Sequence, residues 1–193
     1  MKNKLKLVLW GKNLQLPEDY DNLEFDRYEL KNYDKCYDLY IYKNNKLIKY
    51  IWYWKNKNKG YEFNYKNKKE NGKQYGWYES GKLWHELNFK NGKKDGKQYG
   101  WWDNGNKDYV TNYKDGILDG KQYKWWNNGK LYSEENYKNG NYDGKEYWWY
   151  NDGGLFHEYN YKNEKLNGKQ FWWSNGKLIY ERIYKNGIEL NKE

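Results

Sequence analysis

Two histidines stand in a chain of 193 residues, His85 and His157, each followed by a glutamate, Glu86 and Glu158. An imidazole beside a carboxylate is raw material for acid–base catalysis or a metal site. The two lie 72 residues apart, three periods of a 24-residue repeat, which on stacked hairpins separates them by about 30 Å, too far to share a metal ion or a reaction. The same place in the other copies holds Tyr109, Ser133 and Tyr180, so strand-surface histidines are expected. Cys36 is the only cysteine, which allows no internal disulfide and no cysteine cluster for zinc. Three serines, one threonine, no phosphate-binding glycine loop and no nucleophile elbow complete the inventory. The expectation is a protein that is not an enzyme, with no catalytic residue, cofactor or metal.

The chemistry that remains is binding chemistry. Aromatic residues make up 22% of the chain and alanine is absent, so any core must be built of rings. That ring content argues against disorder. Lysine and arginine number 36 against 27 acidic residues, a formal charge of +9 that favours contact with polyanions or an acidic lipid surface. The opening "MKNKLKLVLWGKNLQL" has too short an apolar run for a signal-peptide core, and no run is long enough for a membrane span. A cytoplasmic protein, with membrane-peripheral attachment as the alternative, is expected.

Glycines recur at Gly72, Gly96, Gly120, Gly144 and Gly168, a spacing of 24, each opening a unit such as "GKQYGWWDNGNKDYVTNYKDGILD". Turn signals fall at fixed places: Asn104-Gly105, Asp115-Gly116 and Asp119-Gly120 in the second copy, Asn128-Gly129, Asn139-Gly140 and Asp143-Gly144 in the third. Between them lie segments of strand length, such as "KQYGWW" and "KDYVTNYK". Glycine or asparagine interrupts every candidate helix. Each unit therefore predicts a β-hairpin, and the chain an all-β, elongated, single-layer antiparallel solenoid of stacked hairpins. Residues 1–47 are expected to form an N-terminal cap with a degenerate half repeat, 48–71 a degenerate repeat, and 72–193 five hairpin repeats. A short strand-containing cap is the simple reading of the first 40 residues; the alternative is a truncated recognition module in which Pro17 starts a turn or short helix.

The run "YKNGKKDGKQYGWWDNG" resembles the MORN repeat family, and more closely its variant form in bacterial and viral proteins. The resemblance implies the hairpin array. It also implies a scaffold, linker or membrane-proximal organiser, and for some variants an antitoxin that binds a toxin partner.

Side chains alternate across a strand, so the fourth and sixth places of a unit share one face. They hold Tyr75, Trp77, Tyr99, Trp101, Tyr123, Trp125, Tyr147, Trp149, Phe171 and Trp173. A ring at every such place predicts a structural ladder. The fifth and seventh places vary, and their rings Trp102, Trp126, Trp148, Tyr150 and Trp172 are the candidates for a surface that binds a protein partner or a second copy. The alternative is a curled sheet, or a one-residue bulge, that covers them. If they are free, serine at Trp102 and Trp126 should leave the fold nearly intact.

The connections from "KNGKKDGK" to "KNEKLNGK" carry net charges of +3, 0, +1 and +2. This gives a basic edge of Lys73, Lys97, Lys121, Lys145 and Lys169 with Lys90, Lys114, Lys138, Lys162 and Lys185. It is a candidate surface for anionic lipid, against the alternative of a solvated rim that keeps the sheet soluble. Nucleic acid is set aside, because the invariant rings are committed to packing. The function expected first is a repeat scaffold that presents an aromatic and basic surface to an unidentified protein partner. Peripheral binding to anionic membrane, or antitoxin-like binding of a toxin, stands as the alternative.

Overall fold

A computed structural model describes residues 7–9, 12–14, 27–33 and 36–190. The Pro17 segment, where a turn or short helix is the alternative reading, lies outside them. Leu7–Leu9 (β1) and Lys12–Leu14 (β2) pair as a hairpin. All further strands belong to one antiparallel sheet, and none of the described residues is helical. The sheet begins with Arg27–Tyr33 (β3), Cys36–Lys43 (β4), Lys46–Trp54 (β5) and Lys59–Lys66 (β6). Here the aliphatic residues gather: Leu39, Ile41 and Ile51 are buried, with Tyr28, Leu30, Ile48 and Tyr53 packed around them.

From Lys69–Glu70 (β7) onward the 24-residue unit takes over. Its long strands are Gly72–Trp77 (β8) and Leu83–Lys90 (β9), then Gly96–Trp101 (β11) and Lys107–Lys114 (β12) after the two-residue Lys93–Lys94 (β10). Ile117–Leu118 (β13), Gly120–Trp125 (β14) and Leu131–Lys138 (β15) follow, then Asn141–Tyr142 (β16), Gly144–Trp149 (β17) and Leu155–Lys162 (β18). Lys165–Leu166 (β19), Gly168–Ser174 (β20), Lys177–Lys185 (β21) and Ile188–Leu190 (β22) end the series. Each long strand pairs with its sequence neighbours, β11 with β9 and β12 for example. No register joins β22 to β3, so the sheet is an open ribbon.

The two-residue strands are absent from the sequence expectation. They arise because the Asp115-Gly116 turn places both central residues at positive φ, 50° and 89°, the geometry that folds a strand straight back on itself. β13 then pairs with β12 for two residues before the chain steps away at Gly120, φ 92°. The other turn differs: Gly105 alone is left-handed, and its N–H donates to the Trp102 carbonyl at 2.8 Å. In the fifth repeat, one residue shorter there, Asn175 and Gly176 are both left-handed and the turn tightens to two residues.

Glutamines are among the most deeply buried residues of the repeats. Gln74, Gln98, Gln122 and Gln170, the third residue of their units, are at most 3% exposed. Gln98 Oε1 accepts the Asn88 backbone N–H at 2.8 Å, while its Nε2 donates to the Asn88 carbonyl at 3.0 Å and the Gly96 carbonyl at 3.1 Å. The same bracket joins Gln74 to Asn64, Gln122 to Asn112 and Gln170 to Asn160. A primary amide carries the donors and acceptors of a peptide group. It therefore continues the ladder where the main chain has swung out to make β10, β13 or β19.

Rings occupy the opposite face. Tyr75 stacks with Trp77 at 5.6 Å between centroids, Tyr99 with Trp101 at 5.9 Å, Tyr123 with Trp125 at 5.8 Å and Tyr147 with Trp149 at 5.7 Å. Phe171 and Trp173 lie 5.6 Å apart. These ten rings are half-buried, as a sheet with one layer dictates. Lys59 lies over Trp77 and Lys107 over Trp125, each at 5.6 Å, carrying cation–π contact from one unit to the next.

Candidate functional site

In every repeat the second strand is bulged by one residue opposite the step between the fifth and sixth places. Lys124 pairs with Ser133 and Trp125 with Leu131, which leaves Tyr132 extra. Phe156 is the extra residue of the next unit, as Trp84 is of the first. A bulge re-aims the side chain it adds. Tyr132 thereby meets Trp126 edge-on at 4.4 Å and Trp148 at 4.9 Å, and Phe156 meets Tyr150 at 4.9 Å.

Together these rings line an open cavity of about 680 Å³ across the third and fourth repeats, with walls Trp126, Tyr132, Trp148, Tyr150 and Phe156. The polar side chains Glu146, Asn151 and His157 share its lining with Trp149 and Tyr159. Tyr150 and Phe156 are 37% and 39% exposed, large values for rings that already touch each other.

Glu146 occupies the place that is glutamine in the other four repeats, and the bracket is missing there because a carboxylate has no N–H to give. Glu146 Oε1 instead accepts the Trp148 indole N–H at 2.5 Å, and the Tyr161 hydroxyl also bonds this carboxyl. Burial raises its pKa above the usual carboxylate range. The nearby Glu135 pushes the same way, against the two hydrogen bonds and the Lys124 charge. Glu135 is itself buried, but Ser133, Tyr137 and Tyr142 donate to it at 2.9, 3.0 and 3.3 Å and Lys124 stands 3.6 Å away.

His157 lies opposite Trp148 in the sheet, stacks on Tyr159 at 4.3 Å and is 9% exposed. Its Nδ1 has no hydrogen-bond partner. Burial lowers its pKa to about 4, so the ring is neutral at neutral pH. The expected surface histidine is thus a buried one, because the strand turns it toward the Tyr159 and Phe156 rings. His85 packs over Gly76, where a Cβ would come within 2.6 Å of its ring, and burial, with the Lys94 charge, lowers its pKa too. At Gly100 the space is filled likewise, by Tyr109 at 2.2 Å from the same hypothetical atom. Among the described residues no cluster of histidine, cysteine, aspartate and glutamate suits a metal ion.

Of the five rings proposed from sequence, Trp126, Trp148 and Tyr150 meet in the cavity. Trp172 adjoins it, its indole N–H donating to the Tyr159 hydroxyl at 3.0 Å. Trp102 stands apart from it. The seventh-place residues also share a second job: Trp102 Nε1 donates to the Trp125 carbonyl and Trp126 Nε1 to the Trp149 carbonyl, both at 3.2 Å. Trp54, Tyr78 and Tyr150 reach the Trp77, Trp101 and Trp173 carbonyls in the same way, at 3.3, 2.9 and 3.4 Å. Each staples its hairpin to the next, so Trp102 and Trp126 are not free of the fold. Tyr132, Phe156, Glu146 and His157 were missed as site residues. The single letter that breaks "GKQY" into "GKEY" was a legible signal for Glu146, whereas a bulge leaves no mark on the pattern.

The lysine rows divide. Lys73, Lys121, Lys145 and Lys169 pair with Glu86, Glu134, Glu158 and Glu181 at 2.6 to 2.8 Å. Val110 stands where Lys97 would find its glutamate. Lys90, Lys114, Lys138, Lys162 and Lys185, each the last residue of a long strand, are exposed. The aspartates between the rows are engaged: Asp95 and Asp119 accept the backbone N–H of Asp115 and Asn139, both at 3.1 Å.

The family model of the MORN repeat variant matches residues 70–91, 118–139, 142–163 and 166–186. The unmatched unit between the first two, β11 to β13, has the same strands, bulge and glutamine bracket. No curated protein matches the chain.

Proposed function

We propose that the protein is a non-enzymatic repeat scaffold whose groove over the third and fourth repeats holds a protein partner. The observation that carries this reading is the ring-walled cavity of about 680 Å³ in an array otherwise faced by brackets and half-buried ladders. The family likeness of four segments supports a scaffold. A toxin held by an antitoxin-like chain would be one such partner. The test is affinity capture from the native cell with wild type and Trp148→Gly, read by mass spectrometry. Glycine opposite a ring already occurs at Gly76 and Gly100, so the variant should fold. Proteins retained by wild type and lost by the variant are the expected result; identical captures would overturn the reading.

A second reading, attachment to anionic lipid, is favoured by the exposed row Lys90, Lys114, Lys138, Lys162 and Lys185. Each lysine close to such a surface contributes about 1 kcal/mol. Sedimentation with acidic liposomes should then fall steeply as salt rises, and absence of binding at low salt would exclude it.

A further inference from the structure

We infer that the groove recognises a basic side chain, arginine in the first instance, inserted by the partner protein between the rings and bound by Glu146 and His157. This rests on the groove reading above and specifies its chemistry. Three independent features converge. The walls are ring faces and edges, which attract a weakly hydrated planar cation. At the lining sits a carboxylate, 5% exposed, whose hydrogen-bond donors among the described residues are Trp148 and Tyr161; a carboxylate has about four acceptor sites, so acceptor capacity remains. Beside it, the buried His157 Nδ1 is unpartnered. The neutral ring can keep its proton on Nε2 and offer Nδ1 as an acceptor. A guanidinium, all donors and no acceptor, complements both groups.

Charge supports the same occupant. On a chain of net charge +9, the carboxyl in this cavity's lining, Glu146, is buried and has a second buried carboxyl, Glu135, near enough to act on it. Lys124, the cation that faces them, stands against Glu135 at 3.6 Å. Glu146 also forgoes the bracket, three hydrogen bonds in Gln98, and takes two side-chain donors, Trp148 and Tyr161, in its place. A bound cation would favour the ionised carboxylate that burial disfavours.

The experiment is calorimetric titration of the full chain with N-acetyl-arginine amide, N-acetyl-lysine amide and butyrate. Expected is weak, saturable binding of the arginine probe, weaker binding of the lysine probe, and none of butyrate. Glu146→Gln should weaken the arginine probe at least tenfold while melting at the wild-type temperature or above, because it restores the bracket. His157→Tyr, the residue found at Tyr109 and Tyr180, should weaken it less. Absence of arginine binding by wild type, equal binding by Glu146→Gln, or equal binding of butyrate would overturn the inference. Self-association that Glu146→Gln abolishes would place a second copy in the groove and overturn the assignment to a different partner. If Glu146→Gln captures the same proteins as wild type while Trp148→Gly loses them, the cation fails and the groove stands.

Discussion

A glutamine and a glutamate differ by one amide nitrogen, and that difference separates the fold-holding repeats from the fourth. In Gln98 the amide satisfies a backbone N–H and two carbonyls that would otherwise be buried without partners. Gln98→Ala should therefore cost about 2 to 3 kcal/mol in urea unfolding, although the side chain is polar. Glu146→Gln, the opposite exchange, should cost nothing. His157 adds a pH dependence with a definite sign. Its folded pKa is about 4, below the ordinary value near 6.5, so between those values the unfolded chain binds more protons and stability falls as pH falls. The loss is at most about 3 kcal/mol between pH 7 and pH 4. His157→Tyr should remove that part of the acid dependence, seen as a shallower slope of unfolding free energy against pH. Equal slopes would mean that His157 protonates freely in the folded protein.

At the scale of the hairpin, period and turn chemistry made the strands legible, since paired positive φ angles at Asp115-Gly116 follow from the residues themselves. The ring pairs were legible too, because strand alternation puts Tyr99 and Trp101 on one face. The bulge was not, for it inserts Tyr132 or Phe156 without disturbing a residue type. Nor was the staple. Once the strand ends at Trp101, alternation no longer says where Trp102 points, and only the stacking of hairpins brings its indole to the Trp125 carbonyl. Trp102→Phe should lower stability by about 1 kcal/mol through that bond alone, and Trp102→Ser by more, through lost packing. Melting curves of the two variants that overlay wild type would return Trp102 to the free surface first expected of it.

For the whole molecule, an open ribbon has one layer and no interior, so polar brackets between strands and half-buried rings on one face share the work of a core. Its N-terminal strands alone keep an aliphatic cluster, around Ile51. The groove was less legible than the architecture, because it depends on where neighbouring repeats bring their side chains rather than on any motif. The most direct test of that groove is site-specific photo-cross-linking in the native cell, with a benzophenone amino acid placed at Phe156. A control probe replaces Trp84, the bulge residue of the first repeat, outside the cavity. A discrete adduct is expected from position 156 that disappears with Trp148→Gly, and none from position 84. Adducts of equal yield from both positions, or none from position 156 in cells that contain the protein's partners, would contradict that reading of the groove.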